Sequence, residues 1–434
     1  MAKAKDKTST LKQAILMATI MSFGILWISP AYGQTTRKRK SSIPQHLLNK
    51  ILKKKYQKKT AKKAKVIKEK KKSQLPFSKR LLVSEFSSWG VQPNNQRSSI
   101  NLIPAWKAFT KKKNIVVAVI DTGIDPSHPF LSKNLVVVKG KKSAKNYGID
   151  FSKSRRDRKQ PFDEHGHGTH VSGIIKSVYP NVKLLSLKYY NPKASGQDNL
   201  NSTIEALRYA VDQNVDIINY SGGGPEPALE ELKILKEAER KGILIVAAAG
   251  NEESNIDVRS NAYYPASYGL KNIITVTAHD KNLQMLNSSN WGKKSVDITA
   301  PGYRIRSALP KGRAGYLTGT SQATAFVSGS AALIMSQYPE LSTPEVREIL
   351  KQSVKKEITL TAKCSSGGRL DAGKAQIFAA RYLEAKKTRG LAAKRDLLSK
   401  ATVKPKRFFL RKVASKKGKI IVRKTSKKRR AKKQ

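Results

Sequence analysis

Ile115-Val116-Val117-Ala118-Val119-Ile120, running into Asp121-Thr122-Gly123, is the stretch that decides how this chain folds. Six consecutive apolar residues, all but one of them β-branched, form a strand with no polar face. Such a strand has to be covered on both sides. Further strand-like runs follow at residues 182–189, 215–220, 243–248 and 273–277. Helical patterns lie between and after them. A short helix continues through residues 171–177 after a glycine turn. Asn201 or Ser202 can cap a helix whose inward positions are Ile204, Leu207, Ala210 and Val211. Residues 227–241 form a helix with Leu229, Leu232, Leu235 and Ala238 along one side, and Thr343-Pro344 opens a last helix.

Apolar strands alternating with amphipathic helices predict an α/β fold of three layers, α/β/α, around a mainly parallel central sheet. Ligands of such sheets sit outside the carboxyl ends of the strands. Asp121, the turn at 221–224 and Asn251 all lie just past predicted strand ends. The expectation is one shared site.

Gly319-Thr320-Ser321-Gln322-Ala323-Thr324-Ala325-Phe326-Val327-Ser328-Gly329 leads into the apolar run Ala331-Ala332-Leu333-Ile334-Met335, which reads as a buried helix. Ser321 falls in its first turn, where unpaired N–H groups and the helix dipole favour developing negative charge. Hydrolysing an amide with a serine also needs a base, a carboxylate that orients the base, and donors for the oxyanion. His165-Gly166-His167-Gly168-Thr169-His170 offers the base, Asp121 the carboxylate, and Asn251 a side-chain amide. The chain order is Asp, His, Ser.

With these residues in place the sequence resembles the subtilisin-like serine proteases. The matching segments are Val119-Ile120-Asp121-Thr122-Gly123-Ile124, His167-Gly168-Thr169-His170-Val171-Ser172-Gly173, Ile218-Asn219-Tyr220-Ser221, Ala248-Ala249-Gly250-Asn251 and Gly319-Thr320-Ser321. The resemblance spans about residues 86–385. It implies that Ser321 is the nucleophile, His167 the general acid and base, and Asp121 its orienting partner. Asn251 and the Ser321 N–H would form the oxyanion hole. By the same resemblance Ser221, Gly222 and Gly223 would pair with the substrate backbone and wall the first specificity pocket. Ala248, Ala249 and Gly250 would wall the other side. Gln322, Thr324 and Ala325 stand where the family usually has Met, Ser and Pro; none of these supplies a catalytic group. The segment between Gly173 and Leu184 is shorter than in subtilisin, where an inserted loop helps hold a tight calcium ion, so that site is expected to be absent and no cofactor is expected; a weaker calcium site elsewhere stays open.

Charge divides the chain. Of 86 Lys+Arg and 30 Asp+Glu, residues 1–83 hold 23 basic and 2 acidic, and residues 386–434 hold 22 and 1. The middle keeps 41 and 27, the mixed surface of a folded protein. Residues 1–33 match a secretory signal peptide: Lys3, Lys5, Lys7 and Lys12, then an apolar stretch at 14–28, then Ala31-Tyr32-Gly33 before a cut at Gln34. Residues 34–83 read as a lysine-rich propeptide or linker, 84–385 as the peptidase domain, and 386–434 as a basic tail. Both flanks are expected to be disordered and to bind anionic surfaces or nucleic acid non-specifically. The single cysteine, Cys364, excludes an intramolecular disulfide and a cysteine metal cluster.

The expectation is a monomeric serine endopeptidase, secreted or periplasmic, acting on polypeptides. Its rival from another class is a surface protein that binds polyanions through its flanks and carries a vestigial protease domain. One Asp-Thr-Gly is too few for aspartic protease chemistry, which needs two. His165, His167 and His170 also have the spacing of a zinc cluster, without the usual acidic residue. Glu252 and Glu253 follow Asn251 and would read as surface carboxylates or as a preference for basic residues at the pocket rim.

Overall fold

The apolar run at 115–120 becomes β1 (Val116–Asp121), and it lies inside the sheet, hydrogen-bonded on both edges. The computed structural model describes residues 84–401 except 94, 96, 137–146 and 155. The signal-peptide and propeptide expectations at 1–83 fall outside the described residues, as does the chain after 401.

The other strands of the sheet are β2 (Gly148–Asp150), β3 (Lys183–Lys188), β4 (Ile217–Tyr220), β5 (Leu244–Ala248), β6 (Ile273–His279) and β7 (Ile298–Pro301). A hairpin of β8 (Ile305–Leu309) and β9 (Arg313–Leu317) stands apart, and β10 (Lys355–Lys356) and β11 (Gly368–Arg369) close one edge. The order is β10-β11-β7-β6-β5-β4-β1-β3-β2, and every pairing in the sheet is parallel except β10 with β11. From β1 the chain goes out to β2 at the edge, comes back to β3 beside β1, and then crosses to β4 on the other side. The β1–β4 boundary is therefore the switch point, where a crevice opens past the strand ends.

Helices cover both faces, as the apolar strands require. One face carries α1 (Leu102–Lys107), α2 (His167–Val178), α5 (Thr320–Gln337), α6 (Thr343–Gln352) and α7 (Ala372–Ala401) around one apolar core. The opposite face carries α3 (Gly196–Asp212) and α4 (Leu229–Arg240) around a second core. All 18 residues of α5 are buried, so its lack of a polar face follows from its place in the centre. Gly329 lets α5 lie against α2: a Cβ there would come within 2.6 Å of Val178 Cβ and 3.0 Å of the Ile175 carbonyl.

Four expectations change. The helix expected from Asn201 or Ser202 begins at Gly196, capped by the Ser195 hydroxyl, which accepts from the Asp198 N–H at 3.0 Å. Its polar first turn concealed it from a hydrophobic-periodicity reading. Leu235 and Ala238 of the line expected in α4 are buried, but Glu231 and Ile234 complete the inward stripe in place of Leu229, which is 70% exposed, and Leu232. A carboxylate on that stripe breaks the apolar pattern. The helix opened by Thr343-Pro344 is real, with a Ser342/Glu345 capping box, but α7 follows it. Finally, the composition change at Ala385 falls inside α7. Ala372, Ala375, Ala379 and Leu383 dock that helix, and Lys386 reaches Glu345 at 2.9 Å. The segment after 385 is thus helical to Ala401 rather than disordered.

Candidate active site

The carboxyl ends of β1, β4 and β5 deliver Asp121, Ser221 and Asn251 to the same side of the sheet, and the first turns of α2 and α5 bring His167 and Ser321 to it. Asp121 is 3% exposed, and its Oδ1 takes the Thr122 N–H at 2.7 Å and faces His167 Nδ1 at 2.7 Å. That contact fixes the ring and leaves Nε2 as the nitrogen open to a reacting group. Burial pulls the His167 pKa down, but the Asp121 charge and hydrogen bond, with a further contribution from Asp163, more than offset it. The net shift is upward from the ordinary value.

Gly168 makes this approach possible. Its missing side chain would lie 2.2 Å from the Gly123 carbonyl, so any other residue would push α2 off the end of β1. The start of α2 is held by Asp163, a fully buried carboxylate that sequence reasoning missed. Its oxygens accept from the Thr122 hydroxyl (2.9 Å), the N–H groups of His165 (3.1 Å), Gly166 (2.7 Å) and Thr169 (2.9 Å), and the Thr169 hydroxyl (2.6 Å). A negative charge at the orphan N–H groups of a helix start is stabilised there. Thr122 completes the tie by accepting the Gly168 N–H at 2.9 Å.

On the other side, Asn251 is exposed, and its Oδ1 accepts the Thr320 N–H at 3.0 Å and the Thr320 hydroxyl at 3.2 Å. Only the amide oxygen can accept, so these contacts engage Oδ1 and leave Nδ2 out of them. Asn290, also missed, holds the loop after β5. Its Oδ1 accepts the N–H groups of Glu252 and Ser254 at 3.0 Å each, and its Nδ2 donates to the Ala249 carbonyl at 2.9 Å and to the Glu252 carboxylate. It lies about forty positions downstream, at a spacing no sequence pattern signals.

Ser321 is 6% exposed, and its hydroxyl donates to the Ser221 carbonyl at 3.1 Å rather than to His167. One step between staggered rotamers re-aims a serine hydroxyl, and catalytic hydrogen bonds often form only once substrate is bound. Ser221 is held in turn by Asn219, whose Nδ2 donates to its hydroxyl at 2.9 Å and whose Oδ1 accepts from Ser328 of α5 at 2.8 Å. Gly222 and Gly223 continue past β4. Ala248 and Ala249 are buried, so what the 248–250 segment can show a ligand is backbone.

The three clustered histidines do not converge. His170 is buried with Nε2 at 2.9 Å from the Ile305 carbonyl, and burial pulls its pKa down to about 4. His165 packs edge-on against Tyr190. Among the described residues no three His, Cys, Asp or Glu side chains group as metal ligands. His128 and His279 are buried and bonded to backbone groups.

Residues 112–376 match the model of the subtilase family. The chain is 36% identical over 271 residues to the major intracellular serine protease of Bacillus subtilis, covering 59% of this chain and 81% of that protein. It is 36% identical over 249 residues to subtilisin E of the same organism, covering 55% of this chain and 60% of that one. Among solved structures, a protease from Pseudoalteromonas arctica superposes with a TM-score of 0.55 at 24% identity, over 67% of this chain and 97% of that one, a likeness of fold.

Proposed function

The chain belongs to the subtilase family, and from that premise we propose that it is an exported serine endopeptidase working through Asp121, His167 and Ser321, with Asn251 as an oxyanion donor. The observation that carries this reading is the 2.7 Å contact between His167 Nδ1 and Asp121, at the mouth of the crevice where α5 presents Ser321.

Ser321 Oγ attacks the scissile carbonyl carbon as His167 Nε2 takes its proton. Asp121 holds the imidazole in the tautomer that can accept at Nε2 and stabilises the imidazolium that forms. The carbonyl oxygen becomes an oxyanion, received by Asn251 Nδ2 and the Ser321 N–H at the positive end of α5. The imidazolium then protonates the leaving amine, the C–N bond breaks and an acyl-enzyme remains. Water, deprotonated by His167, attacks the ester and releases the acid and Ser321. The backbone at Ser221, Gly222 and Gly223 pairs with the acyl part of the substrate, opposite Ala248, Ala249 and Gly250.

Support for export is the signal-peptide pattern of residues 1–33. The secreted form should begin at Gln34 or later, as N-terminal sequencing and intact mass would show; a mature chain starting at Met1 contradicts export. The peptidase reading is tested with internally quenched peptides. Wild type should cleave them, and Ser321→Ala should lose about 10⁶-fold in kcat. Equal cleavage by both would remove Ser321 from the mechanism.

A further inference from the structure

Next to the crevice, sharing Gly223 with it, lies a cavity of about 440 Å³ whose side chains the chemistry above does not use. Its lining includes Tyr189, Tyr190, Tyr220, Tyr264, Glu226 and Glu231. The volume falls in the range of roughly 300–1,000 Å³ typical of ligand pockets. Four tyrosines would suit an apolar or aromatic guest. Glu231 does not fit that description. It is the carboxylate on the inward stripe of α4, only 2% exposed. Its Oε1 accepts from the Tyr220 hydroxyl at 2.7 Å, and its Oε2 lies 2.8 Å from the Tyr268 hydroxyl. Among the described residues no lysine, arginine or histidine pairs with it. Burial pushes its pKa up, and the tyrosine hydroxyls only partly counter this. Two hydroxyls occupy two of about four acceptor positions. What the group lacks is a positive charge, and a buried carboxylate without one is costly.

The cavity also lies along the path that a substrate takes. Gly223 and Gly224 form part of its wall, two and three residues past Ser221, whose carbonyl holds the Ser321 hydroxyl. An extended segment of that length spans about 7–11 Å. Tyr189 joins the two sites: its N–H donates to the Asp121 carbonyl at 3.0 Å, and its hydroxyl fills the space where a side chain on Gly222 would sit. Gly224 is fastened to Tyr264 by reciprocal backbone hydrogen bonds of 3.0 and 2.7 Å. The rim residues Gln197 and Glu226 are exposed, which leaves an entrance.

We propose that this cavity receives the side chain of a lysine or arginine two to four residues to the acyl side of the bond that is cut, with Glu231 as its counter-ion and the tyrosine rings around its stem. The proposal rests on the endopeptidase reading, because the distance along the substrate is counted from Ser321. The tyrosine faces attract the cation as well as its methylenes. Glu226 at the rim adds negative charge at the entrance.

The test uses internally quenched peptides, neutral throughout except for one lysine placed in turn at each position from two to four on the acyl side. Matched peptides carry norleucine or Nε-acetyl-lysine at the same place. At one position wild-type kcat/KM for lysine should exceed that for norleucine at least about tenfold, and acetyl-lysine should behave like norleucine. Glu231→Gln should bring the lysine/norleucine ratio close to one. The acetyl-lysine comparison needs only wild-type protein, so it decides even if that variant does not fold. Neutral peptides cut as fast as lysine peptides at every position would overturn this inference and leave the endopeptidase reading intact. Failure to cut any peptide would overturn both.

Discussion

The two sides of the catalytic crevice are built from different chemistry. Where β1 meets α2, the organising groups are carboxylates: Asp121 on the ring of His167, and Asp163 on the first turn of the helix that carries it. Where β5 meets α5, the groups that hold the helix start are neutral, the amide of Asn251 and the hydroxyl of Thr320, and the one carboxylate nearby, that of Glu252, is exposed and faces Asn290 behind them. The charged side has to set the proton affinity of a base, which only nearby charge can do strongly. In the mechanism proposed above, the neutral side offers donors to a transient oxyanion without altering that base. Ser321 stands between them, at the start of a helix whose buried body fixes its place.

Substitutions on the two sides should therefore fail in different ways. The largest effect is expected from Asp121→Asn, about 10⁴-fold in kcat, because an amide holds the imidazole in the wrong tautomer. A loss under about tenfold would show that Asp121 does not orient the base. Next comes Asn251→Ala, expected to cost about 10²–10³-fold in kcat, with KM nearly unchanged and the pH profile in place. A raised KM with intact kcat would mean that the amide binds ground-state substrate instead. The smallest effect, and the sharpest for the comparison, is that of Asp163→Asn. The raised pKa of His167 places the acid limb of kcat/KM above about 6.5, the ordinary imidazole value. Activity needs the neutral ring, so it is lost as pH falls through that limb. Removing the Asp163 charge lowers the His167 pKa and moves the limb to lower pH. A limb that stays put in Asp163→Asn, or one that moves in Asn251→Ala, would erase the distinction between the two sides.

Much of this was legible before folding, for physical reasons that differ by element. The run at 115–120 declares a strand buried on both faces, and α5 declares itself by the apolar run 331–335 and by having no charged residue on any face. Asp121, His167, Ser321 and Asn251 sit in short segments that resemble a known family, and the structure brings them to one crevice. Asp163 was not legible because its task is to receive N–H groups from a turn that exists only once α2 has started beside β1. Asn290 acts on a loop far away in sequence. Glu231 was hidden because an amphipathic reading takes Leu229 and Leu232 for the buried line and a glutamate for surface. The second half of that line, Leu235 and Ala238, is inward, but at the helix start the glutamate turns inward and Leu229 projects into solvent. The length of α7 was masked by its lysines, which a reading by composition takes for an unfolded tail.

Labelling with a serine-directed fluorophosphonate, followed by peptide mass mapping, tests the central claim most directly. The mature wild-type protein should gain one phosphonyl group, on the peptide containing Ser321, at a rate that rises as His167 loses its proton; Ser321→Ala should gain none. A folded wild-type protein that stays unlabelled, or a label borne by another residue, would contradict the convergence of Asp121, His167 and Ser321 on one reacting centre.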